Sequence, residues 1–320
     1  MVRLKRIWVR LADMTIRLLP GAATEDALQK LLGLRSELTR LGSGTDQESF
    51  IGYGRWALDS ARMVAHCLPV EVIDQLIFTR RYWAIQDVGG SMLWDTHPKP
   101  QLRLLISAEI DQRGRELEVI SEQLRLELFS WNDCGHLVVP DTSVFLQHLQ
   151  KFDLISWIDV AQAKSLEVAT VVVPMAVIRE LDAKKRQSGT IRWRAAYSLS
   201  KIEDLFGNTP VAGRAPVLAP ADTSPAVMVA DTGRGEVRIR VLVDDLGQVR
   251  LPNPDDEIIT KALDVKSWSG RRVRLATFDT NMAFQARQAG LDVTKLSRKD
   301  LAEEFRPKPP KGERENFGDS

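Results

Sequence analysis

Four acidic side chains between residues 141 and 279 of this 320-residue sequence have the chemistry and the placement of a metal site. They are Asp141, Glu180, Asp256 and Asp279. Two carboxylates about 5 Å apart repel each other by roughly 3 kcal/mol at an effective dielectric constant near 20. A cation between them removes that cost, so converging carboxylates indicate a metal site. Because every donor is an oxygen atom, the predicted ion is Mg²⁺ or Mn²⁺.

Short apolar runs that alternate with helical patterns bring these acids to one edge of a predicted sheet. The strands are predicted at 137–140, 168–174, 273–277 and 292–296, and helices are predicted between them. This alternation indicates an α/β fold with a central parallel sheet covered by helices on both faces. In such folds, ligands bind beyond the carboxyl ends of the strands.

The acids sit where that edge is expected. Asp141 and Asp279 follow the first and third predicted strands, Glu180 lies six residues beyond Pro174, and Asp256 is in the first turn of a helix. Each acid also has an ordinary structural explanation, because aspartates cap helices and acids favour a first helical turn. The common placement of all four favours a shared site over four separate caps.

Four segments between residues 136 and 300 resemble a PIN domain: PDTSVFL, VPMAVIRELDAKK, NPDDEIITKAL and LATFDTNMAFQARQAGL. The resemblance implies a three-layer α/β/α fold in which the four acids are the metal ligands. Asp256 is preferred over Asp255 because it directly precedes the helix body EIITKAL. The family pattern also implies that Thr142, Thr277 and Asn281 orient the ligands or the substrate.

The resemblance implies a metal-dependent endoribonuclease that hydrolyses single-stranded RNA and leaves a 5′-phosphate and a 3′-hydroxyl. Asp279 or Asp256 would orient or deprotonate the attacking water. Phosphate contacts are predicted from Lys184, Arg192 and Arg194. Trp193 could stack a base, although a core position is the stronger expectation for this side chain.

The remainder of the chain divides into three predicted regions. Residues 1–130 form an all-helical domain, with helices near 24–41, 47–67, 69–85 and 102–130. The last of these reads as a long exposed hairpin arm, because leucines alternate with charges. The nuclease domain spans 131–305 and holds a loop and β-hairpin insertion at about 207–253, with the hairpin turn at DDLG. The tail at 306–320 is polar and predicted to be disordered.

Composition restricts location and partners. The formal net charge is only +1, so attraction for RNA must come from local basic patches. Two cysteines are too few for a disulfide framework, and no apolar run is long enough to span a membrane, so a cytoplasmic protein is expected. Homo-oligomerisation through the helical N-terminal region and an inhibitory protein partner both remain open.

Other functional classes fit less well. A phosphatase with an aspartyl nucleophile needs a second aspartate at position 143, where this chain has serine, and no GxxxxGK[ST] loop is present. The main alternative is a catalytically weak or inactive PIN-like scaffold that binds RNA or protein. A DNA-directed, structure-specific nuclease is a further alternative.

Overall fold

The computed structural model describes residues 18–19, 21–41, 45–90, 100–207, 215–224, 233–244 and 250–305. The predicted tail at 306–320 lies outside these residues, as does most of the DDLG turn. The described residues up to Asn132, together with Lys266–Gly270, form one compact unit, and the other described residues form a second.

The first unit is helical. Its helices are α1 (Thr24–Leu38), α2 (Asp46–Val64), α3 (Val70–Leu76), α4 (Arg80–Gly90) and α5 (Pro100–Ser130). The segment predicted as one helix at 69–85 is two helices, because the Thr79 hydroxyl accepts a hydrogen bond from Tyr82 N at 3.1 Å at the start of α4. No helix in the described residues is both long and apolar enough to cross a membrane.

The prediction that residues 102–130 form an exposed hairpin arm is wrong. Helix α5 is one continuous helix that packs on α1, α2, α3 and α4. Several of the charges along it, which suggested exposure, are buried within the unit: Glu109 is 1% exposed and Arg113 is 3% exposed. Glu109 pairs with Arg81 at 3.1 Å, and this compensation allows a charged side chain to enter the core.

The second unit is built on a mostly parallel sheet. Its described strands are β1 (His136–Pro140), β2 (Ala169–Pro174), β3 (Val217–Ala219), β4 (Val237–Leu242), β5 (Val273–Thr277) and β6 (Asp292–Lys295). Their order across the sheet is β3-β4-β2-β1-β5-β6, and only the edge strand β3 is antiparallel to its neighbour among those described. The predicted strands β1, β2, β5 and β6 are confirmed.

Helices flank this sheet, as the predicted α/β/α fold requires. They are α6 (Thr142–Gln147), α7 (Trp157–Ala161), α8 (Met175–Lys184), α9 (Gly189–Phe206), α10 (Pro254–Ser269) and α11 (Thr280–Gln288). The last residues of α10, from Lys266, belong to the first unit. The central strands β1 and β2 are apolar and almost wholly buried, because both faces of a parallel sheet are covered. The carboxyl ends of β1, β2 and β5 lead directly into α6, α8 and α11.

The insertion differs from its prediction. The segment predicted as the first arm of a hairpin is β4, which pairs in parallel with β2 over six residues, from Ala169↔Val237 to Pro174↔Leu242. The other neighbour of β4 is β3, which lies earlier in the chain. The alternating sequence VRIRVL therefore indicated a strand correctly, but the turn signal at DDLG indicated the wrong partner.

Gly135 enters β1 in a conformation that only glycine adopts readily. Its φ is +62°, and a Cβ atom there would lie 2.0 Å from the Val168 carbonyl oxygen. Gly135→Ala is expected to lower the free energy of unfolding by at least about 1–3 kcal/mol, the usual cost of such backbone strain, because the clash adds to it.

The matched control for this substitution is Gly270→Ala. Gly270 also has a φ of +62°, but nothing lies within 4 Å of the added Cβ atom. Chemical denaturation of both variants should show the larger loss at Gly135. Equal losses would mean that the clash with Val168 contributes nothing to the change in the free energy of unfolding.

Candidate metal centre

Asp141 is held where β1 ends beside β5. Pro140 is in register with Ala276, and the backbone N–H of Asp141 donates to the Ala276 carbonyl at 3.0 Å. The Asp141 carboxylate then caps α6, accepting from Val144 N at 3.1 Å. The side chain is buried, so its position is fixed by the sheet and by the helix that starts there.

Two hydroxyl groups complete the hydrogen bonding of the Asp141 carboxylate. Ser143 Oγ donates to Oδ1 at 2.6 Å, and Thr277 Oγ1 donates to Oδ2 at 2.6 Å. Each hydroxyl also accepts from the chain after β5: Ser143 Oγ from Phe278 N at 3.1 Å, and Thr277 Oγ1 from Asp279 N at 2.8 Å. The predicted orienting residue Thr277 and the unpredicted Ser143 thus tie the ends of β1 and β5 together.

Burial raises the pKa of Asp141 to about 6. The hydrogen bonds from Ser143, Thr277 and Val144 act in the opposite direction, the negative charge of Asp255 acts in the same direction as burial, and the value of about 6 is the net result. Ionising a buried carboxylate in this environment costs free energy, and a nearby cation would reduce that cost.

Glu180 approaches the same edge from α8. The helix begins directly after β2, with Pro174 at its N-terminus, so Glu180 is nearly two turns from the end of the strand. Its carboxylate accepts a hydrogen bond from the Thr142 hydroxyl, at the start of α6. Thr142, predicted to orient a ligand or the substrate, therefore contacts the second of the predicted acids.

In the first turn of α10, the geometry favours Asp255 over the predicted Asp256. Asp255 is half-buried, and its pKa is raised first by burial and then by the charges of Glu180, Asp279 and Asp256. Asp256 is exposed. Neighbouring helical residues point about 100° apart, so only one of the two can face the other acids.

Asp279 lies at the N-terminus of α11. Its Oδ1 accepts from Met282 N at 2.9 Å, so the residue is a helix cap as well as a predicted ligand. Asp279 and the predicted orienting residue Asn281 are both exposed. Unlike Asp141, these two side chains are accessible to a substrate in solution.

Electrostatic interactions therefore connect Asp141, Glu180, Asp255 and Asp279 around the carboxyl edge of the sheet. All their donor atoms are carboxylate oxygens, which suit a hard divalent cation. Within the described residues, however, no three acidic, histidine or cysteine side chains converge closely enough to define a metal-binding group. The four acids fit Mg²⁺ or Mn²⁺ in donor type and charge, and the side chains as placed do not form a closed coordination shell.

Arg179, which was not predicted from the sequence, links the elements that carry two of these acids. One guanidinium nitrogen donates to Asp244, just after β4, and another donates to Glu257 on α10. Burial acts to lower the pKa of Arg179, but the hydrogen bonds to these two carboxylates outweigh it and raise the pKa. Because Arg179 precedes Glu180 in the chain, the bridge sets α8 against the first turns of α10.

The predicted phosphate contacts have different environments. Lys184 is half-buried and lies one turn after Glu180 on α8, and Arg192 is exposed on α9. Arg194 is mostly buried, donates to the His148 carbonyl at 2.6 Å and pairs with Glu304 at 3.6 Å. These contacts are those of a structural residue. Lys295, which was not predicted, is in register with Thr277 and donates to the Phe278 carbonyl.

Trp193 does not lie in the core, contrary to the stronger expectation for it. The side chain is 48% exposed on α9. Its neighbours along the helix explain the result: Ala195 and Ser198 form the buried face, and Trp193 lies on a different face.

Ser143 offers a test of how Asp141 is held. In Ser143→Ala, Asp141 loses one of the donors that lower its pKa, so we expect that pKa to rise. Removing a group that orients a metal ligand typically costs 10–100-fold in metal affinity or activity. We expect metal-dependent turnover to fall by about that factor, and its acid limb to move to higher pH. Ser143→Thr, which keeps a hydroxyl, is the control, and an unchanged pH–rate profile in Ser143→Ala would contradict the assignment.

The fold and the acids define a class: a parallel α/β domain with an acidic site at the carboxyl edge of its sheet. Comparison with known families gives this class a name, because a family model described as the PIN domain matches residues 138–297, half of the chain. The chain belongs to the PIN domain family. This family generally includes metal-dependent nucleases, which are hydrolases.

No curated protein matches the chain. Among solved structures, a domain of a functionally unknown protein from Methanocaldococcus jannaschii DSM 2661 is similar, with 15% sequence identity and a TM-score of 0.30. The similarity covers 51% of this chain and 91% of that one.

Proposed function

We propose that this protein is an endoribonuclease that hydrolyses phosphodiester bonds of single-stranded RNA with Mg²⁺ or Mn²⁺. The observation that carries the proposal is the electrostatic coupling of four carboxylates at the carboxyl edge of a PIN domain sheet. Asp255 is the centre of that coupling, because its charge acts on Asp141 and the charges of Glu180 and Asp279 act on it. Repulsion of this kind is what a bound divalent cation would relieve.

In this proposal Asp141, Glu180, Asp255 and Asp279 would hold the ion. When bound, the ion lowers the pKa of water and neutralises charge on the phosphate. Ser143 and Thr277 fix the Asp141 carboxylate, and Thr142 fixes Glu180, which reduces the reorganisation needed during catalysis.

The exposed Asp279 is the candidate to orient the attacking water and accept its proton. The water oxygen forms a bond to phosphorus, and the bond from phosphorus to the 3′ oxygen breaks. The products are a 5′-phosphate and, after protonation of the leaving oxygen, a 3′-hydroxyl. Lys184, Arg192 and Lys295 are the candidate phosphate contacts beside the acids.

The test is cleavage of an end-labelled single-stranded RNA by the full chain in Mn²⁺, in Mg²⁺ and in EDTA. We expect cleavage with either metal and none in EDTA, with products that carry a 5′-phosphate. Cleavage that survives EDTA would reject the metal-dependent mechanism. A single-stranded DNA of the same sequence and a DNA flap substrate test the DNA-directed alternative.

A second candidate function is an RNA-binding scaffold with a catalytically weak or inactive site. The observation that favours it is that no three ligand side chains converge in the described part of the chain. RNA binding without cleavage in either metal would support this candidate over the first. Titration of the chain with Mn²⁺ alone separates the two further, because the nuclease must bind the ion.

A further inference from the structure

Two aromatic side chains form a pair on α9, with Trp193 exposed and Tyr197 half-buried. Trp193 and Tyr197 are one helical turn apart, and their rings stack with centroids 5.3 Å apart and planes 22° from parallel. Trp193 is 48% exposed, whereas Trp131 and Trp157 are each 1% exposed. A single exposed aromatic side chain is ordinary on a protein surface, so the stacking on Tyr197 and the adjacent lysine distinguish Trp193.

The pair is fixed before any ligand arrives. Tyr197 donates its hydroxyl hydrogen to the Asp153 carboxylate, with oxygen–oxygen distances of 2.8 and 2.9 Å. Trp193 stacks on the ring that this hydrogen bond holds. A rigid aromatic surface loses little conformational entropy on binding, which favours contact with another flat ring.

Two lysine side chains lie near the pair, and Lys151 leaves one face of Trp193 uncovered. Lys151 Nζ lies 5.3 Å from the Trp193 centroid and 5.0 Å from the Tyr197 centroid. These distances and the 5.3 Å between the rings form a nearly equilateral triangle, so the ammonium lies alongside the stack. The face of Trp193 that points away from Tyr197 is therefore not covered by Lys151. Lys201 Nζ is 5.8 Å from the Tyr197 centroid and pairs with Asp153 at 3.8 Å.

The helix that carries the pair packs on elements that hold two of the acids. Helix α9 packs on α8, which carries Glu180, and on α6, which Asp141 caps. Arg194 donates to the carbonyl of His148, the residue that follows α6. Helix α6 has six residues and is about 9 Å long, and Lys151 and Asp153, which contact the pair, follow its C-terminal end.

We propose that Trp193 and Tyr197, flanked by Lys151, form a base-stacking subsite that holds single-stranded RNA next to the acidic site. The choice of RNA rests on the proposed function, and the stacking itself rests on the exposed ring and its charges. Nucleic acid fits better than an apolar partner, because Lys151 and the exposed Arg192 place cations where a phosphate backbone would run. A duplex does not fit, because both faces of its bases are already stacked.

The test is the affinity of the full chain for a labelled single-stranded RNA of about 12 nucleotides, measured by fluorescence anisotropy in EDTA at one fixed salt concentration. EDTA prevents turnover, so binding is measured apart from catalysis. Trp193→Ala is expected to weaken binding about 5- to 150-fold, the range for loss of one stacked base. Trp193→Phe keeps an aromatic face and should retain most of the affinity.

The matched control is Trp83→Ala, because Trp83 is also exposed, at 57%, but lies on α4 of the helical unit. We expect it to leave RNA affinity unchanged. Single-stranded DNA of the same sequence should show a similar loss in Trp193→Ala, since stacking reads the base and not the sugar. In metal, Trp193→Ala should raise KM for cleavage more than it lowers kcat.

The outcomes separate this inference from the proposed function. RNA affinity of Trp193→Ala within twofold of wild type would overturn the inference, and a surface that serves a protein partner instead would give that result. An equal loss of affinity for duplex RNA would also overturn it, because that result indicates charge and not stacking. A stacking-dependent affinity in a chain that never cleaves RNA would support the subsite and reject the nuclease.

Discussion

Asp141→Asn is expected to abolish metal-dependent RNA cleavage and, in EDTA at pH 7, to raise the melting temperature. Cleavage is lost because a neutral amide is a poor ligand for a hard divalent cation. Stability rises because the wild-type chain must bury an ionised carboxylate whose pKa is raised to about 6. The displacement from 3.8 to about 6 corresponds to roughly 3 kcal/mol at pH 7.

Asparagine will recover only part of that free energy. Its carbonyl oxygen can still accept from Ser143 and Val144, but its NH₂ group faces the Thr277 hydroxyl, which must then reorient. A disturbed hydrogen bond costs about 1 kcal/mol, so a net gain of about 1–2 kcal/mol is expected.

The difference in melting temperature between wild type and Asp141→Asn should depend on pH in a direction that can be measured. The pKa of Asp141 is higher in the folded chain than in the unfolded chain, so the folded state holds the proton more tightly. The contribution of this group to stability is therefore largest below about pH 4 and is lost as pH rises through about 6. The melting temperatures of wild type and Asp141→Asn in EDTA should be closest near pH 4 and should separate towards pH 7.

Adding Mn²⁺ should reverse the order of the two melting temperatures, so that wild type becomes the more stable protein. An ion that binds only the folded chain at 100 times its Kd stabilises it by about 2.7 kcal/mol. Mn²⁺ should therefore raise the melting temperature of wild type and leave that of Asp141→Asn nearly unchanged. A large loss of stability in Asp141→Asn under all conditions would show that the residue acts mainly as the cap of α6.

The sequence carried most of the information needed for the sheet, because β1 and β2 are mainly apolar runs that end in proline, and β5 is mainly apolar apart from Arg274. Asp141 and Asp279 were placed correctly at the ends of strands for the same reason, since a helix cap must stand where the helix starts. Both features depend on residues that are close in sequence, and local patterns report such features well.

The features that were missed depend on contacts between distant residues. The strand pattern of β4 could not identify β2 as its partner, because that pairing spans the whole of α8 and α9. The charged residues of α5 suggested a solvent-exposed helix, because nothing in the local sequence shows that Arg81 pairs with Glu109. The exposure of Trp193 depends on which face of α9 packs, and the link from Ser143 to the chain after β5 is a contact with Phe278, 135 residues away.

The choice between Asp255 and Asp256 is the second test with a large expected effect. Both residues lie in the first turn of α10 and both carry the same charge. Asp255 is half-buried, and its pKa is raised first by that burial and then by the charges of Glu180 and Asp279. Asp256 is exposed. We therefore expect Asp255→Asn to lower metal-dependent cleavage by at least ~100-fold, the upper end of what even indirect metal contacts cost.

Asp256→Asn is the control, because it removes the same charge from the adjacent residue. We expect its cleavage rate to stay within about threefold of wild type, since an exposed charge in a first helical turn contributes only about 0.3–1 kcal/mol to stability. Mn²⁺ titration of each variant should show weakened binding for Asp255→Asn alone. The opposite result, with Asp256→Asn inactive and Asp255→Asn active, would mean that α10 presents its other face to the ion, and that the bridge from Arg179 to Glu257 does not set its orientation.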